Sequence, residues 1–479
     1  MKPKIAASEI AFFLIPIVWL AGVLFAGPYN ATFNGVMLIL LYIVGIAMFL
    51  KRNNKIAYPF VIFLIYSLFS NAGQTLTRLL GFKNNINVDI YARYSDKLIG
   101  EMLLIQGMFI FCMCVGYIVF RRKREVSIVS PLLDNGSNLD LEDLLLALVT
   151  LIVAVSYITE LSKRASLSYG DYYYDARGGV DSLMQYVYHV VIFGYILRHN
   201  GWKKKMAYCI MAVLAVMAIF IGSRSATLPM FVGCAFILLA TQKGKVKFKL
   251  RYLALALVVL LVFAAFTELR DYAISDLNAE IVFDAFTVSP IQALVDIVDE
   301  MGGSARTVLS TMQAKKMGVT DSEGTILYAV LKGFVPVGAL NMVGISEPAV
   351  GFLSEWVSEY GSGLFIEGKG WGYSIIAEII YNFGTMGIFF SFIFGGAVAL
   401  LENWMERLLK KGESFLAAGV LYLLGYAVFL ARAEMALVST RIRYTLYFAI
   451  LLWLMKLFNI KLKWNREKKV KTGEDDGKD

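Results

Sequence analysis

Apolar runs of roughly twenty residues recur along almost the whole chain, and they limit its fold more than any other feature. A helix of that length crosses the hydrocarbon core of a bilayer. Hydrophobic residues make up 58% of the 479 residues and charged residues 17%, against about 25% in soluble domains. A compact soluble protein cannot bury that much apolar surface. The sequence therefore predicts an all-α integral membrane protein that crosses the bilayer many times.

Short basic clusters lie between the apolar runs, and their positions predict the orientation of the chain. They comprise Lys51, Arg52 and Lys55, Arg121 to Arg124, Arg198 and Lys203 to Lys205, Lys243 to Arg251, Lys410 and Lys411, and Lys461 to Lys471. Such clusters mark cytoplasmic segments, so the net charge of +9 is explained by membrane topology and not by a nucleic-acid partner. Runs and clusters together predict about twelve transmembrane helices, with both termini in the cytoplasm. Their approximate limits are 9–27, 32–50, 57–74, 101–120, 142–159, 183–198, 206–222, 225–241, 251–267, 372–399, 414–431 and 443–460.

These limits divide the chain into four parts. Residues 1–267 form an N-terminal bundle of about nine spans, 268–371 a large outer loop, 372–460 about three further spans, and 461–479 a charged cytoplasmic tail. The outer loop is expected to be partly helical, because Ser289-Pro290 resembles the start of a helix. The stretch from Ile326 to Val343 is apolar but interrupted by glycine and proline. We expect it at the outer membrane interface or dipping into the outer leaflet.

The stretch from Gly368 to Gly387 reads GKGWGYSIIAEIIYNFGTMG and carries the clearest sign of a functional site. Its spacing places five polar side chains on one face of a helix whose other faces suit lipid: Ser374, Glu378, Tyr381, Asn382 and Thr385. A carboxylate inside a span is by default a functional hypothesis. Glu378 is either a structural carboxylate bonded to an arginine or a group that acts on a sugar hydroxyl. Tyr381 and Asn382 either bond substrate or join helices.

Isolated arginines on the predicted outer side are the second sign. Arg224 lies in a Gly-Ser-Arg turn, Arg432 and Arg441 flank Glu434 in the last outer turn with Arg443 following, and Arg177 follows three tyrosines at 172–174. The guanidinium fork suits phosphate or carboxylate. Each arginine either contributes to one outer anion-binding cleft or pairs with a nearby acid or lipid phosphate. The tyrosines, among them Tyr173, form either a carbohydrate-binding surface or an interfacial aromatic belt.

Other kinds of site find little support in the sequence. His189 and His199 are the only histidines, and the topology places one in a span and the other in the cytoplasm, so an outer zinc site or Ser–His–Asp triad is not expected. Neither a nucleotide-binding fingerprint nor a metal-binding cysteine pattern occurs. We therefore expect no cofactor and no metal.

In the order of these motifs the chain resembles the bacterial oligosaccharide repeat-unit polymerases, the O-antigen polymerase (Wzy-type) family. The resemblance covers nearly the whole length. It rests on the Gly-Ser-Arg turn at 222–224, the large loop before the last three spans, and Gly372-Tyr373-Ser374 followed by Glu378 and Tyr381-Asn382. Within the loop, Glu300, Gly303 and Ser304 followed by Gly324 and Pro336 look like the family's pattern.

The resemblance implies a membrane-embedded glycosyltransferase of the GT-C type that uses no metal. Such an enzyme extends a glycan on undecaprenyl diphosphate at the outer face of the bacterial plasma membrane, with a flippase and a chain-length regulator as partners. The expected catalytic residues are Glu378, Arg224 and Arg432. The expected substrate-binding residues are Arg177, Arg441, Tyr173, Tyr373, Ser374, Tyr381, Asn382 and Glu300. Asp296, Asp299 or Glu300 are alternatives to Glu378 as the base.

Two rival functions are weighed against this one. An O-antigen ligase has a similar layout and uses the same donors, but such ligases tend to place a histidine in the large loop, and residues 268–371 contain none. A polysaccharide flippase or exporter needs charges deep inside several spans, whereas charges within the predicted spans are scarce here.

Overall fold

The computed structural model describes residues 7–53, 58–82, 89–121, 141–165, 167, 182–221, 224–240, 274–276, 278–281, 283, 290–319, 324–348, 352–362 and 373–457. Across these residues the fold is helical, and no strand occurs. The α-helices are α1 (Ala7–Ala26), α2 (Ala31–Asn53), α3 (Pro59–Leu79), α4 (Ile90–Arg93), α5 (Asp96–Phe120), α6 (Leu141–Ala165), α7 (Ser182–Arg198), α8 (Gly201–Phe220), α9 (Arg224–Ala235), α10 (Pro290–Gly302), α11 (Ser304–Lys316), α12 (Thr325–Phe334), α13 (Val337–Met342), α14 (Leu353–Ser362), α15 (Ile375–Phe383), α16 (Ile388–Lys410), α17 (Ser414–Phe429) and α18 (Met435–Leu457).

Six helical segments in this part of the chain are long and apolar enough to cross a bilayer. They are Ser8–Ala26, Ala31–Lys51, Pro59–Leu79, Asp96–Phe120, Leu141–Ala165 and Met435–Leu454. They overlap the spans predicted at 9–27, 32–50, 57–74, 101–120, 142–159 and 443–460, and they indicate a multi-pass membrane protein. The span predicted at 251–267 lies outside the described residues, so the total of twelve stays a prediction.

Glycines bring the long helices into close contact. A Cβ on Gly395 of α16 would overlap the Met113 carbonyl of α5, and one on Gly116 of α5 would overlap Phe392 of α16. In the other half of the bundle, Gly425 of α17 lies directly against α9. Small residues are the usual contact points of membrane helices, because they let two backbones approach closely.

A buried ionic cluster joins three helices at one end of the bundle, away from Arg432. Arg121, at the end of α5, is paired with Glu406 and lies 3.5 Å from Glu402 of α16. Glu402 also accepts hydrogen bonds from Tyr117 and from the Phe60 backbone N–H, at 2.5 and 3.0 Å. The cluster therefore joins the residue that directly follows α5, the first turn of α3 and the second half of α16.

The single span predicted at 372–399 is two helices, which corrects the sequence analysis. α15 ends at Phe383, Gly384 takes a left-handed φ of 60°, and α16 begins at Ile388 after a 3-10 turn. Thr385 therefore lies outside the helix that carries Glu378. Residues 375–382 are buried on every face, so protein covers the apolar faces of α15 that were expected to face lipid.

The turn predicted between the last two spans is also shorter than expected. α18 begins at Met435, so Arg441 and Arg443 lie within this helix and only residues 430–434 connect it to α17. The physical reason is that Met435 to Leu454 forms a continuous apolar helix despite its two arginines.

Helices α10 to α14, here called the loop helices, lie at the end of the bundle that carries Arg432, and α11, α12 and α14 contact α15 there. We call this the loop end. α10 crosses α3 where Gly302 lies against Gly73. α12 packs along α18 so closely that a Cβ added to Gly333 would lie 3.2 Å from the Ser439 carbonyl oxygen. Arg443 of α18 donates to a carbonyl near the end of α12, that of Lys332, at 3.0 Å. The apolar stretch expected at the membrane interface thus forms α12 and α13, broken at Pro336, beside the first half of α18.

Candidate functional site

The position of Glu378 is set by the start of α15. Ser374 precedes the helix with extended backbone, and its Oγ accepts a hydrogen bond from the Ala377 N–H at 3.2 Å. The Ile375 N–H donates to the Leu430 carbonyl at 2.9 Å. The serine therefore caps α15, and the second bond ties the start of that helix to the end of α17.

The Glu378 carboxylate contacts the start of α18. It is buried, and its Oε2 accepts a hydrogen bond of 2.7 Å from the backbone N–H of Met435, the first residue of that helix. A carboxylate at this position satisfies an unpaired N–H and interacts favourably with the helix dipole. Among the described contacts, the partner of Glu378 is therefore this backbone group, and not one of the arginines considered from the sequence.

Glu434 is a second buried carboxylate at the same place. Its Oε2 accepts from the Leu353 N–H at 2.7 Å, and its Oε1 accepts from the Ser354 hydroxyl at 2.8 Å, so it caps α14. Burial raises the pKa of Glu434 to about 7, although these hydrogen bonds oppose the shift. The Glu378 and Glu434 carboxylates are close enough to repel each other. Sequence reasoning missed this role, for which the only signal was an acid flanked by two arginines.

Asn382 caps the start of α12, as Glu434 caps α14. Its Oδ1 accepts from the Gly324 N–H at 2.9 Å, and its Nδ2 donates to Thr325 Oγ1 and to the Glu378 carbonyl, both at 2.8 Å. Gly324 has a φ of 97°, a left-handed conformation that suits glycine. We call Glu378, Asn382 and Glu434 the capping centre, because each bonds the first residues of a different helix.

The predicted tyrosines pack beneath the loop helices. The Tyr373 hydroxyl lies 2.8 Å from Thr311 Oγ1 of α11, and the Tyr381 ring meets Trp356 of α14 edge to face at 4.9 Å. Lys315 of α11 donates to the Tyr381 carbonyl at 2.8 Å. Both tyrosine side chains are fully buried, so in this structure they join the loop helices to α15.

Arg441 and Arg432 lie in different environments. Arg441, on α18, donates to the Leu437 carbonyl at 3.0 Å and to the Tyr426 hydroxyl at 3.2 Å, and its guanidinium lies 4.5 Å from the Tyr426 ring centre. Arg432 lies in the connection between α17 and α18, two residues before Glu434, and is half-buried. Its backbone N–H donates to the Phe429 carbonyl at 2.8 Å.

Arg224 begins α9 at the loop end, although its side chain is outside the described set. Pro229 of α9 lies against Gly425 of α17, and Gly233 contacts the half of α7 that lies beside the start of α17. α9 and α17 are therefore antiparallel. Arg224 and Arg432 each lie about one to two turns beyond the Pro229–Gly425 contact, in the same direction. Arg177 and Tyr173 lie outside the described residues.

The loop acids lie along α10. Asp296 is exposed and accepts from Gln292 at 2.8 Å, whereas Asp299 is buried and its carbonyl accepts from Gln74 of α3 at 3.3 Å. Glu300 is half-buried, and its carbonyl accepts from the Gly303 N–H at 3.2 Å in the turn to α11. The structure thus places Glu300 at the α10–α11 junction. Among the described residues, no three His, Cys, Asp or Glu side chains are grouped so that they could hold a metal.

A family model described as O-antigen polysaccharide polymerase Wzy matches residues 8–463, which is almost the entire chain. Neither the curated proteins nor the solved structures contain a significant match.

Proposed function

The chain belongs to the O-antigen polysaccharide polymerase Wzy family, and from this membership we propose that it polymerises lipid-linked oligosaccharide repeat units at the outer face of the bacterial plasma membrane. Both substrates carry undecaprenyl diphosphate. The growing glycan is transferred from its lipid onto the non-reducing-end sugar of a new unit. The family match over residues 8–463 is the observation that carries this proposal.

The reaction forms one glycosidic bond and breaks one bond to phosphate. A hydroxyl oxygen of the new unit attacks the anomeric carbon of the growing chain, and undecaprenyl diphosphate leaves with the electron pair of the broken C–O bond. The hydroxyl proton passes to a base or to water. No metal is required if fixed cations stabilise the charge that grows on the leaving diphosphate.

Arg224 and Arg432 supply those cations in our proposal, and Arg441 helps to bind the same diphosphate. The placement of Arg224 and Arg432 at one end of antiparallel helices supports their joint action. Guanidinium groups held in place stabilise the transition state more than the ground state, because the leaving group gains charge as the bond breaks. Arg177 and Tyr173 belong to the same proposed substrate surface.

Two roles are open to Glu378. As a base it would accept the hydroxyl proton on the carboxylate oxygen that is not bonded to Met435. As a positioning residue it would hold the start of α18, the helix that carries Arg441. The bond to Met435 supports the second role directly, and substitution by glutamine separates the two, because glutamine keeps an acceptor for the N–H but cannot act as a base.

The loop helices form one wall of the proposed site. They are bonded to the capping centre, to Tyr373 and to Tyr381, so they hold α15 in place. The proposal places this end of the bundle outside the membrane, with both termini in the cytoplasm and with a flippase and a chain-length regulator as partners.

Deletion of the gene in its host tests the proposal. We expect surface polysaccharide to shrink to single repeat units attached to the cell, seen as the loss of the long ladder on a gel. Complete chains retained on undecaprenyl diphosphate would instead identify a ligase. Units that accumulate on the cytoplasmic leaflet would identify a flippase.

A further inference from the structure

Residues 333–346, at the end of α12 and through α13, form an apolar surface at the loop end. No charged residue occurs in this uncharged segment, and the charged residues on either side of it, Lys332 and Glu347, pair with each other at 3.1 Å. Met342 is 89% exposed and Val343 70%. The exposed apolar residues of the segment are Phe334, Pro336, Ala339, Met342, Val343 and Ile345. An exposed apolar patch of this kind marks a contact with a partner or with a membrane.

The uncharged segment begins against the spanning helix α18. A Cβ added to Gly333 would lie 3.2 Å from the Ser439 carbonyl oxygen, and Arg443 donates to the Lys332 carbonyl at 3.0 Å. The part of α18 from Met435 to Leu454 is long and apolar enough to cross a bilayer. Ser439 and Arg443 lie in the first half of that part. The segment is therefore level with the leaflet at the loop end.

The face of α18 that meets the uncharged segment continues into the bilayer as an exposed apolar face. Tyr447 lies one turn after Arg443, and Ile450 and Leu451 lie two turns after it, so all of them share one side of the helix. Tyr447, Ile450 and Leu451 are exposed. On a spanning helix such side chains contact the acyl chains of the lipids. The segment thus lies directly beyond the lipids that cover this face of α18.

The backbone of the uncharged segment makes its hydrogen bonds within the segment. The Val343 and Ile345 N–H groups donate to the Leu340 carbonyl at 3.1 and 3.0 Å, and the Gly344 N–H donates to the Asn341 carbonyl at 3.1 Å. The break between α12 and α13 falls at Pro336, which has no N–H to satisfy. Lipid cannot bond to backbone groups, so a chain that enters a leaflet has to pair them internally. These bonds make the segment suited to lipid.

We propose that the uncharged segment is inserted in the leaflet at the loop end, with Phe334, Met342 and Val343 among the acyl chains. Its partner is therefore the phospholipid bilayer itself. The Lys332–Glu347 pair lies at the level of the headgroups, where long charged side chains reach water. The inference does not depend on the reaction that the protein catalyses, because it requires only that α18 crosses the bilayer.

Helix α12 connects this membrane contact to the capping centre. The Gly324 N–H, directly before α12, donates to Asn382 of α15 at 2.9 Å, and the other end of α12 begins the uncharged segment. α12 has 10 residues, a length of about 15 Å. The leaflet therefore fixes one end of α12, and the capping centre fixes the other.

Fluorescence quenching at a single position tests the insertion. A fluorescent non-natural amino acid replaces Met342 in the full-length protein, which is reconstituted in phosphatidylcholine nanodiscs. Quenching by lipids brominated on their acyl chains is compared with quenching by iodide in the water. We expect strong lipid quenching and weak iodide quenching, as for the same label at Leu451 of α18.

The matched control is Met317, a second exposed methionine of the loop region, which follows Lys315 and Lys316 at the end of α11. There we expect the reverse, with lipid quenching several-fold weaker than at 342. Equal iodide quenching at 342 and 317 would place the segment in water and overturn the inference. Weak quenching by both agents at 342 would show that protein covers it, as in a dimer of this chain, and would overturn it as well.

The label at Val343 gives a second reading if the variant at 342 is not produced. A failure of the proposed function is seen separately. In that case gene deletion leaves the glycan ladder unchanged, whereas the quenching at 342 is unaffected.

Discussion

Replacing Glu434 by glutamine should make the stability of the protein less dependent on pH. The carboxyl is buried between the start of α14 and the start of α18, with the acids Glu378 and Glu355 nearby. Its pKa is about 7 in the folded protein, against 4.5 for the ordinary group. Between these values the folded state binds more protons than the unfolded state, so the wild type loses stability as pH rises.

The size of the effect follows from the shift. The shift from 4.5 to about 7 corresponds to about 3 kcal/mol, most of which falls between pH 5 and pH 8. Glutamine cannot ionise and keeps one acceptor for the Leu353 N–H. The unfolding free energy of E434Q, measured relative to that of the wild type, should therefore rise by roughly 2–3 kcal/mol between pH 5 and pH 8.

Denaturation of the detergent-solubilised protein, followed by tryptophan fluorescence at both pH values, measures this difference. E434A is the matched comparison. It leaves the Leu353 N–H and the Ser354 hydroxyl without their acceptor, at a cost of about 1–3 kcal/mol each. The reasoning is refuted if E434Q and the wild type show the same pH dependence, or if E434A is as stable as the wild type.

Three other substitutions give sharp expectations. On a glycan gel, E378Q should abolish long chains if Glu378 is the base and preserve them if Glu378 only holds Met435. In a denaturation experiment, E378A should lower the unfolding free energy by about 1–3 kcal/mol in either case. R432Q should slow chain extension by about two to three decades, with the usual amount of protein in the membrane. Product of wild-type length from R224K would argue against bidentate phosphate binding by Arg224. G395L should prevent the close contact with the Met113 carbonyl and reduce the yield of folded protein, whereas a leucine at exposed Ile393 should be tolerated.

Much of the bundle follows from the sequence, because hydropathy alone decides which helices can enter a bilayer. The six segments long enough to span it coincide with predicted spans, and Ser289-Pro290 marks the helix that begins at Pro290. The break at Gly384 escaped prediction because the residues on both sides of it are apolar. Hydropathy cannot tell a helix covered by lipid from one covered by protein.

The roles of individual polar residues were harder to predict. The periodicity correctly placed Glu378 and Asn382 on one helix with Ser374 at its start, yet it carried no information about their partners. Those partners, Met435 and Gly324, lie more than fifty residues away along the chain and are backbone groups, which leave no trace in the side-chain pattern. The same holds for Glu434, whose partners at 353 and 354 come about eighty residues earlier.

The capping centre also determines the order in which the protein can be completed during synthesis. Leu353 leaves the ribosome 81 residues before Glu434, the acceptor of its N–H. At about 5–20 residues per second this is a delay of roughly 4–16 s. During this interval α14 has no cap, and α12 likewise waits for Asn382. The first residues of α12 and α14 therefore receive these hydrogen bonds only after residues 382 and 434 have been synthesised, and a chain truncated before residue 434 lacks the bonds that cap α14.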